Sequence, residues 1–172
     1  PERPYFLFVG TLEPRKNLPV LLQAWRDVHR DHPIDLVLAG RRRADFPELA
    51  AEPGLRIAGE VADAELPGLY SGAVAFVYPS QYEGFGLPVL EAMQCGACVI
   101  ASRAVREAAG DAAVYGDTPE ELAAAMRAAA ESPAWAAEWR ARSLSRAAQF
   151  SWDRTARATY EVYREARRRF GD

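Results

Sequence analysis

The stretch Pro79-Ser80-Gln81-Tyr82-Glu83-Gly84-Phe85-Gly86-Leu87-Pro88-Val89-Leu90-Glu91 decides the fold of this chain. An apolar run, Ala73 to Tyr78, precedes it and reads as a buried strand. Val89 to Cys95 reads as a helix, with Pro88 at the first helical position, where its missing N–H costs no bond. A strand, a glycine-bearing loop and a helix N-terminus in that order aim backbone N–H groups and the positive end of a helix dipole at one spot, which suits an anion. Gly84 and Gly86 let the backbone approach a ligand closely. Glu83 on the loop and Glu91 in the first helical turn flank the spot. The stretch matches a ligand that carries both phosphate and hydroxyl groups.

The rest of the chain repeats the same alternation. Tyr5 to Val9, Asp35 to Ala39, Leu55 to Ala58, Cys98 to Ala101 and the short Ala113 to Tyr115 are further apolar runs, several closed by glycine. Helical periodicity fills Leu18 to about Arg30, a short piece near Phe46 to Glu52, a segment capped by Asp63 that ends near Ser71, and a turn over Ala104 to Ala109. Beyond Thr118 the pattern is wholly helical. Thr118-Pro119-Glu120-Glu121 carries an N-terminal capping signature, Pro133 divides two helices, and Ser151 caps a last one. Trp152, Ala156, Tyr160, Tyr163 and Phe170 line one face of that helix, as core or docking surface. The reading is α/β: a doubly wound, Rossmann-like, six-stranded parallel sheet in the order 3-2-1-4-5-6, with a helical C-terminal segment.

Composition narrows the function. The 172 residues suit a single domain over 1–172, and nearly half are apolar. A net charge of −3 argues against a general nucleic-acid binder. No apolar run is long enough to span a bilayer. The chain opens on Pro1 with a strand starting by Tyr5, which suggests a piece of a longer polypeptide. Cys95 and Cys98 form a C-x-x-C pair, but Cys95 ends a helix, so buried structural thiols in a reducing cytosol are expected rather than redox chemistry. His29 and His32 lack further metal-ligand partners and read as solvated. Neither a P-loop, a nucleophile elbow nor the G-x-G-x-x-G fingerprint is present.

A second candidate site is Gly10-Thr11-Leu12-Glu13-Pro14-Arg15-Lys16-Asn17, just past the first strand. In the expected strand order the loops after strands one and four are neighbours, at the switch where open α/β sheets bind ligands. Arg15 and Lys16 then face the helix start near Leu87. The chain contains 20 arginines and one lysine, Lys16, so a compact ammonium is wanted at this point. By itself the segment reads equally as a solvated turn, and Glu91 alone as a complement to the helix dipole. Taken together they describe a sugar-nucleotide site. The basic pair and the helix amides would hold a diphosphate, and the carboxylates would take hydroxyls of ribose and sugar.

With those residues in view, the chain resembles the C-terminal, donor-binding domain of family 4 glycosyltransferases of the GT-B fold. The resemblance runs from Phe8-Val9-Gly10-Thr11-Leu12-Glu13-Pro14-Arg15-Lys16-Asn17 through Leu69-Tyr70 and Pro79 to Glu91, and on to Phe150-Ser151-Trp152. Glu83 and Glu91 match the family's two glutamates separated by seven residues, and Cys98 stands where the pattern usually has proline. The resemblance implies catalytic roles for Arg15 and Lys16 on the departing diphosphate and for Glu83 on the transferred sugar. It implies substrate binding by Glu91 at the ribose, by the amides of Phe85, Gly86 and Leu87, with Val89 close by and Gly10 leaving room. The base is expected near Arg41, Gly59 and Val61. No metal or resident cofactor is implied; the donor is a GDP- or UDP-linked sugar, with GDP-mannose first because the Pro-Arg-Lys-Asn loop looks most like bacterial mannosyltransferases of polysaccharide assembly. Transfer would proceed with retention, to a glycan or lipid-linked acceptor at the inner membrane face, with an N-terminal acceptor-binding domain supplied in cis or trans. The alternative is a non-catalytic nucleotide-sugar-binding or interaction module that pairs with a separate acceptor-binding chain.

Overall fold

The computed structural model describes residues 3–171. Six strands, β1 (Tyr5–Val9), β2 (Asp35–Ala39), β3 (Leu55–Gly59), β4 (Ala75–Tyr78), β5 (Val99–Ala101) and β6 (Val114–Tyr115), form one parallel sheet in the order β3-β2-β1-β4-β5-β6. This is the order expected from the apolar runs. The central strands are buried on both faces: Phe6, Leu7, Phe8, Leu36, Leu38, Phe76 and Val77 are all fully enclosed. Continuous apolar sequence, rather than alternation, is what such strands require. The order reverses between β1 and β4, so the chain ends leaving those two strands diverge around a crevice.

Among the described residues the α-helices are α1 (Leu18–His29), α2 (Leu66–Gly72), α3 (Leu87–Gln94), α4 (Arg106–Ala109), α5 (Pro119–Glu131), α6 (Pro133–Ala147) and α7 (Trp152–Phe170). α1 packs against α5, and α3 against α2, α4 and α6. The Thr118 capping box is complete, with the hydroxyl accepting from the Glu121 amide. The Ser132 and Ser151 hydroxyls cap α6 and α7 by accepting from the amides of Trp135 and Arg154, without the reciprocal bond of a capping box. A last-turn arginine in α6, Arg146, donates to the carbonyls of Glu107 and Ala108 and so ties that helix to α4.

Four local readings need correction, and a fifth, left open by the sequence, is decided. No helix forms near Phe46 to Glu52. Residues 41–43 instead continue beside the chain leaving β1, through a Leu12–Arg42 bridge and an Arg43 amide donated to Leu12, while buried Phe46 plugs the loop. Pro53 disfavours helical backbone at Glu52 and so ends the segment there. Asp63 caps nothing; α2 starts at Leu66 after Glu65. α3 starts at Leu87, one residue early, so Pro88 is its second residue and Glu91 its fifth, beyond the first turn. His29 is half-buried rather than solvated: its Nδ1 lies 2.9 Å from the Ile34 carbonyl oxygen and its ring packs tilted against Trp25. The stripe on α7 is a surface, not core: Trp152, Tyr160, Tyr163 and Phe170 are each more than 60% exposed.

Gly68 in α2 offers a simple check of this packing. Nothing lies within 4 Å of the position its Cβ would take. Gly68→Ala therefore raises stability by about 0.5–1 kcal/mol, since the helix loses only the entropy cost of glycine; the urea midpoint reads the gain.

Candidate functional site: a cationic turn against a glycine corner

The site is assembled where β1 and β4 end. After β1 the chain makes a short 3-10 turn, Pro14–Lys16, and Asn17 enters the left-handed region (φ 55°) to redirect it into α1. That sharp exit aims Arg15 and Lys16 across at the loop after β4. The two segments are joined along their backbones: the Gln81 amide donates to the Arg15 carbonyl at 2.8 Å.

Glu83 is the hub. Its Oε1 lies 2.5 Å from Lys16 Nζ, its Oε2 2.8 Å from Arg15 Nη1. The Tyr78 hydroxyl donates to Oε1 at 2.9 Å and Ser80 Oγ sits 2.7 Å away. Burial alone would raise the Glu83 pKa. Hydrogen bonds from Lys16, Ser80 and Arg15 outweigh it and hold the carboxyl at about 2, so it is ionised throughout the ordinary pH range. Lys16 is 4% exposed and also donates to the Tyr78 hydroxyl. Arg15 keeps close to half its side chain in solvent and makes a second pair with Glu13, which Arg43 holds from the other side.

Opposite stands the α3 start. Gly86 adopts φ 98°, and a Cβ there would come 3.0 Å from Val105. Among the described residues, the amides of Phe85, Gly86 and Leu87 donate to no group of the chain. Glu91 is exposed and accepts from the buried Tyr70 hydroxyl at 3.0 Å. Its partner is therefore a phenol, not the helix dipole. Below lies a cavity of about 200 Å³ lined by Gly10, Thr11, Gly40, Arg41, Glu60, Val61 and Leu66, among others. It opens at the ends of β1, β2 and β3.

The structure thus brings Arg15, Lys16 and Glu83 into direct contact, and Gly10, Arg41 and Val61 around one cavity. Gly59 lines a separate hollow with Leu12 and Arg42. Val89 is fully buried and its amide is taken by Gly86, so it supports the corner from behind. The Phe85 ring turns away, edge-on to Phe150, into a cleft of about 450 Å³ shared by α3 and the start of α7. Sequence reasoning missed Tyr70, Tyr78 and Ser80 as partners of the glutamates, and Glu60 in the cavity wall. A tyrosine closing an otherwise apolar strand was the available signal for Tyr78. No group of three or more His, Cys, Asp or Glu among the described residues could hold a metal, and no helix there is long and apolar enough to cross a membrane.

Comparison with known proteins places this geometry. The family model for glycosyl transferases group 1 matches residues 3–132. The O-antigen chain mannosyltransferase B of Escherichia coli is 38% identical over 93% of this chain and 45% of its own length. The D-inositol 3-phosphate glycosyltransferase of Kineococcus radiotolerans is 33% identical over 93% of this chain and 44% of its own. The sucrose-phosphate synthase of Thermosynechococcus elongatus superposes with a TM-score of 0.80 at 26% identity, covering 96% of this chain and 46% of that one. The chain spans less than half the length of these relatives. The matched span contains all six strands, the basic turn and the glycine corner, and the chain belongs to the group 1 glycosyltransferases.

Proposed function

We propose that this chain is the donor-binding half of a retaining glycosyltransferase that transfers mannose from GDP-mannose to a glycan or lipid-linked acceptor. One observation carries the reading. The only lysine and its neighbouring arginine sit at the switch in strand order, facing a helix start whose first amides are unspent. A diphosphate between them would exchange the Glu83 carboxylate for its own oxygens on the exposed face of Arg15 and accept from the corner amides. As the bond from sugar to diphosphate breaks, negative charge grows on the diphosphate. A fixed guanidinium, ammonium and helix N-terminus stabilise it without rearranging. Glu83, ionised, is placed to accept from sugar hydroxyls, and Glu91, braced by Tyr70, from ribose. The base would take the cavity at Arg41 and Val61. The likeness to an O-antigen mannosyltransferase supports mannose; a UDP-linked sugar is the next candidate.

The acceptor-binding domain would come from a longer chain or a second one, and the chain alone would bind donor weakly and turn over little. A second reading, a nucleotide-sugar-binding module that pairs with a separate acceptor-binding chain, draws on α7, whose apolar face has no cover among the described residues. Calorimetric titration with GDP, UDP, GDP-mannose and UDP-glucose tests the donor site that both readings share. Saturable binding with GDP and GDP-mannose tighter than the uridine compounds is expected. If no nucleotide binds, the donor-site reading fails.

A further inference from the structure

We infer that Tyr78 is a positioning residue, whose buried hydroxyl fixes the Lys16 ammonium and the Glu83 carboxylate relative to each other. Packing does not explain that hydroxyl. Tyr78 ends a strand of Ala75, Phe76 and Val77, and its ring stacks between Phe8 and Phe76 with centroids 5.7 and 5.6 Å away. A phenylalanine would make the same ring contacts. A buried phenol without partners costs free energy, so the hydroxyl must have its bonds. It has two, and both go to the site: it accepts from Lys16 Nζ and donates to Glu83 Oε1. Lys16 also bonds Glu83 Oε1 directly, which closes a triangle of three groups.

The triangle has a chemical consequence. An ammonium carries three N–H donors. Two are committed, to Tyr78 and Glu83, and the third has no acceptor among the described residues. A flexible four-carbon side chain is thereby held with one donor unspent. The ordering cost of Lys16 has been met before any ligand arrives, so more of the contact energy appears as affinity. Arg15 and Glu13 from the turn after β1 also act on Tyr78 electrostatically, and so does Tyr70. Tyr70, beyond Phe76, does the corresponding job for Glu91. The value of a fixed ammonium to a diphosphate rests on the donor-site reading above; the fixing itself does not.

Because the chain holds one lysine, isotope labelling of lysine gives one side-chain ammonium signal. In the wild-type chain that signal is expected to be ordered and slow to exchange with water. In Tyr78→Phe, exchange rises by about tenfold, as loss of one buried hydrogen bond implies, with the backbone spectrum of the same sample unchanged. Tyr70→Phe, a second buried tyrosine change on the same core, leaves the ammonium as it was. So does Ser80→Ala, which removes a donor to Glu83 but keeps the triangle. GDP affinity falls about tenfold in Tyr78→Phe but not further when Tyr78→Phe is added to Lys16→Ala, the non-additivity expected of a residue acting through Lys16. An ammonium equally ordered in wild type and Tyr78→Phe overturns the inference, as does an equal loss of order in Ser80→Ala. Failure of the wild-type chain to bind any nucleotide overturns the donor-site reading instead, and the exchange measurement still decides the role of Tyr78.

Discussion

Lys16→Ala is expected to weaken GDP binding by about 100-fold, the loss of a charge-assisted contact made in a poorly solvated place. Isothermal titration at one fixed salt concentration reads it. The same variant keeps its fold, because Glu83 retains Arg15, Tyr78 and Ser80 as donors after the ammonium is gone. A loss of no more than about 2 kcal/mol in unfolding free energy is expected on that account. Lys16→Arg does not restore binding. The Nζ is enclosed by Tyr78 and Glu83, and the Cε runs 3.7 Å from where a Gly10 side chain would begin. A planar guanidinium needs more width than that channel provides. Wild-type affinity in Lys16→Ala would remove the turn from the donor site.

Gly40→Ala is the most destabilising single change that the backbone foretells, and it strikes the same region by a different route. Gly40 follows β2 with φ 133°, and its amide donates to the Gly59 carbonyl at 2.7 Å. A Cβ there would lie 2.1 Å from the carbonyl oxygen of Gly10. The obstacle is backbone, held in turn by the Gly10 amide bonded to Ala39, so neither side can yield cheaply. A cost of about 3 kcal/mol or more is expected, from the contact and the unfavourable φ together. The urea midpoint should fall accordingly, and hydrogen exchange should show the ends of β1 and β2 opening first. Gly68→Ala, the same substitution in open space, moves the midpoint the other way. Equal midpoints for Gly40→Ala and the wild type would mean that the two strand ends are not in contact.

The sheet order could be read from the chain because buried parallel strands leave an unbroken signature, as Tyr5-Phe6-Leu7-Phe8-Val9 does, and because the closing glycines mark their ends. Capping chemistry at Thr118 and Ser151 was equally local and equally legible. Where tertiary partners decide, the sequence said less. The segment from Phe46 to Glu52 has helix-forming residues, but Arg42 donates to the Phe46 carbonyl and Arg26 holds Glu52 at 2.7 and 2.8 Å. Those two arginines, one four residues upstream and one on α1, draw the segment into an irregular path. The same holds at the site. That Arg15 and Lys16 would meet the corner followed from strand order, but that Glu83 would clasp both of them did not. The surroundings of Glu91 were misread, since the helix starts one residue earlier than its sequence suggests, which puts Glu91 past the first turn with the Tyr70 hydroxyl as its partner.

The internal clasp also bears on how a ligand would find this surface. Arg15, Lys16 and Arg43 are matched by Glu13, Glu83 and Asp45, three cations against three carboxylates within one connected set of ion pairs. Seen from a few Debye lengths away, such a set is close to neutral and draws anions in only feebly. Encounter is then ordinary diffusion, nearly indifferent to ionic strength, and stray phosphate gains little by lingering. Discrimination falls to the moment of contact, when an incoming group must fit well enough to supplant a carboxylate already seated.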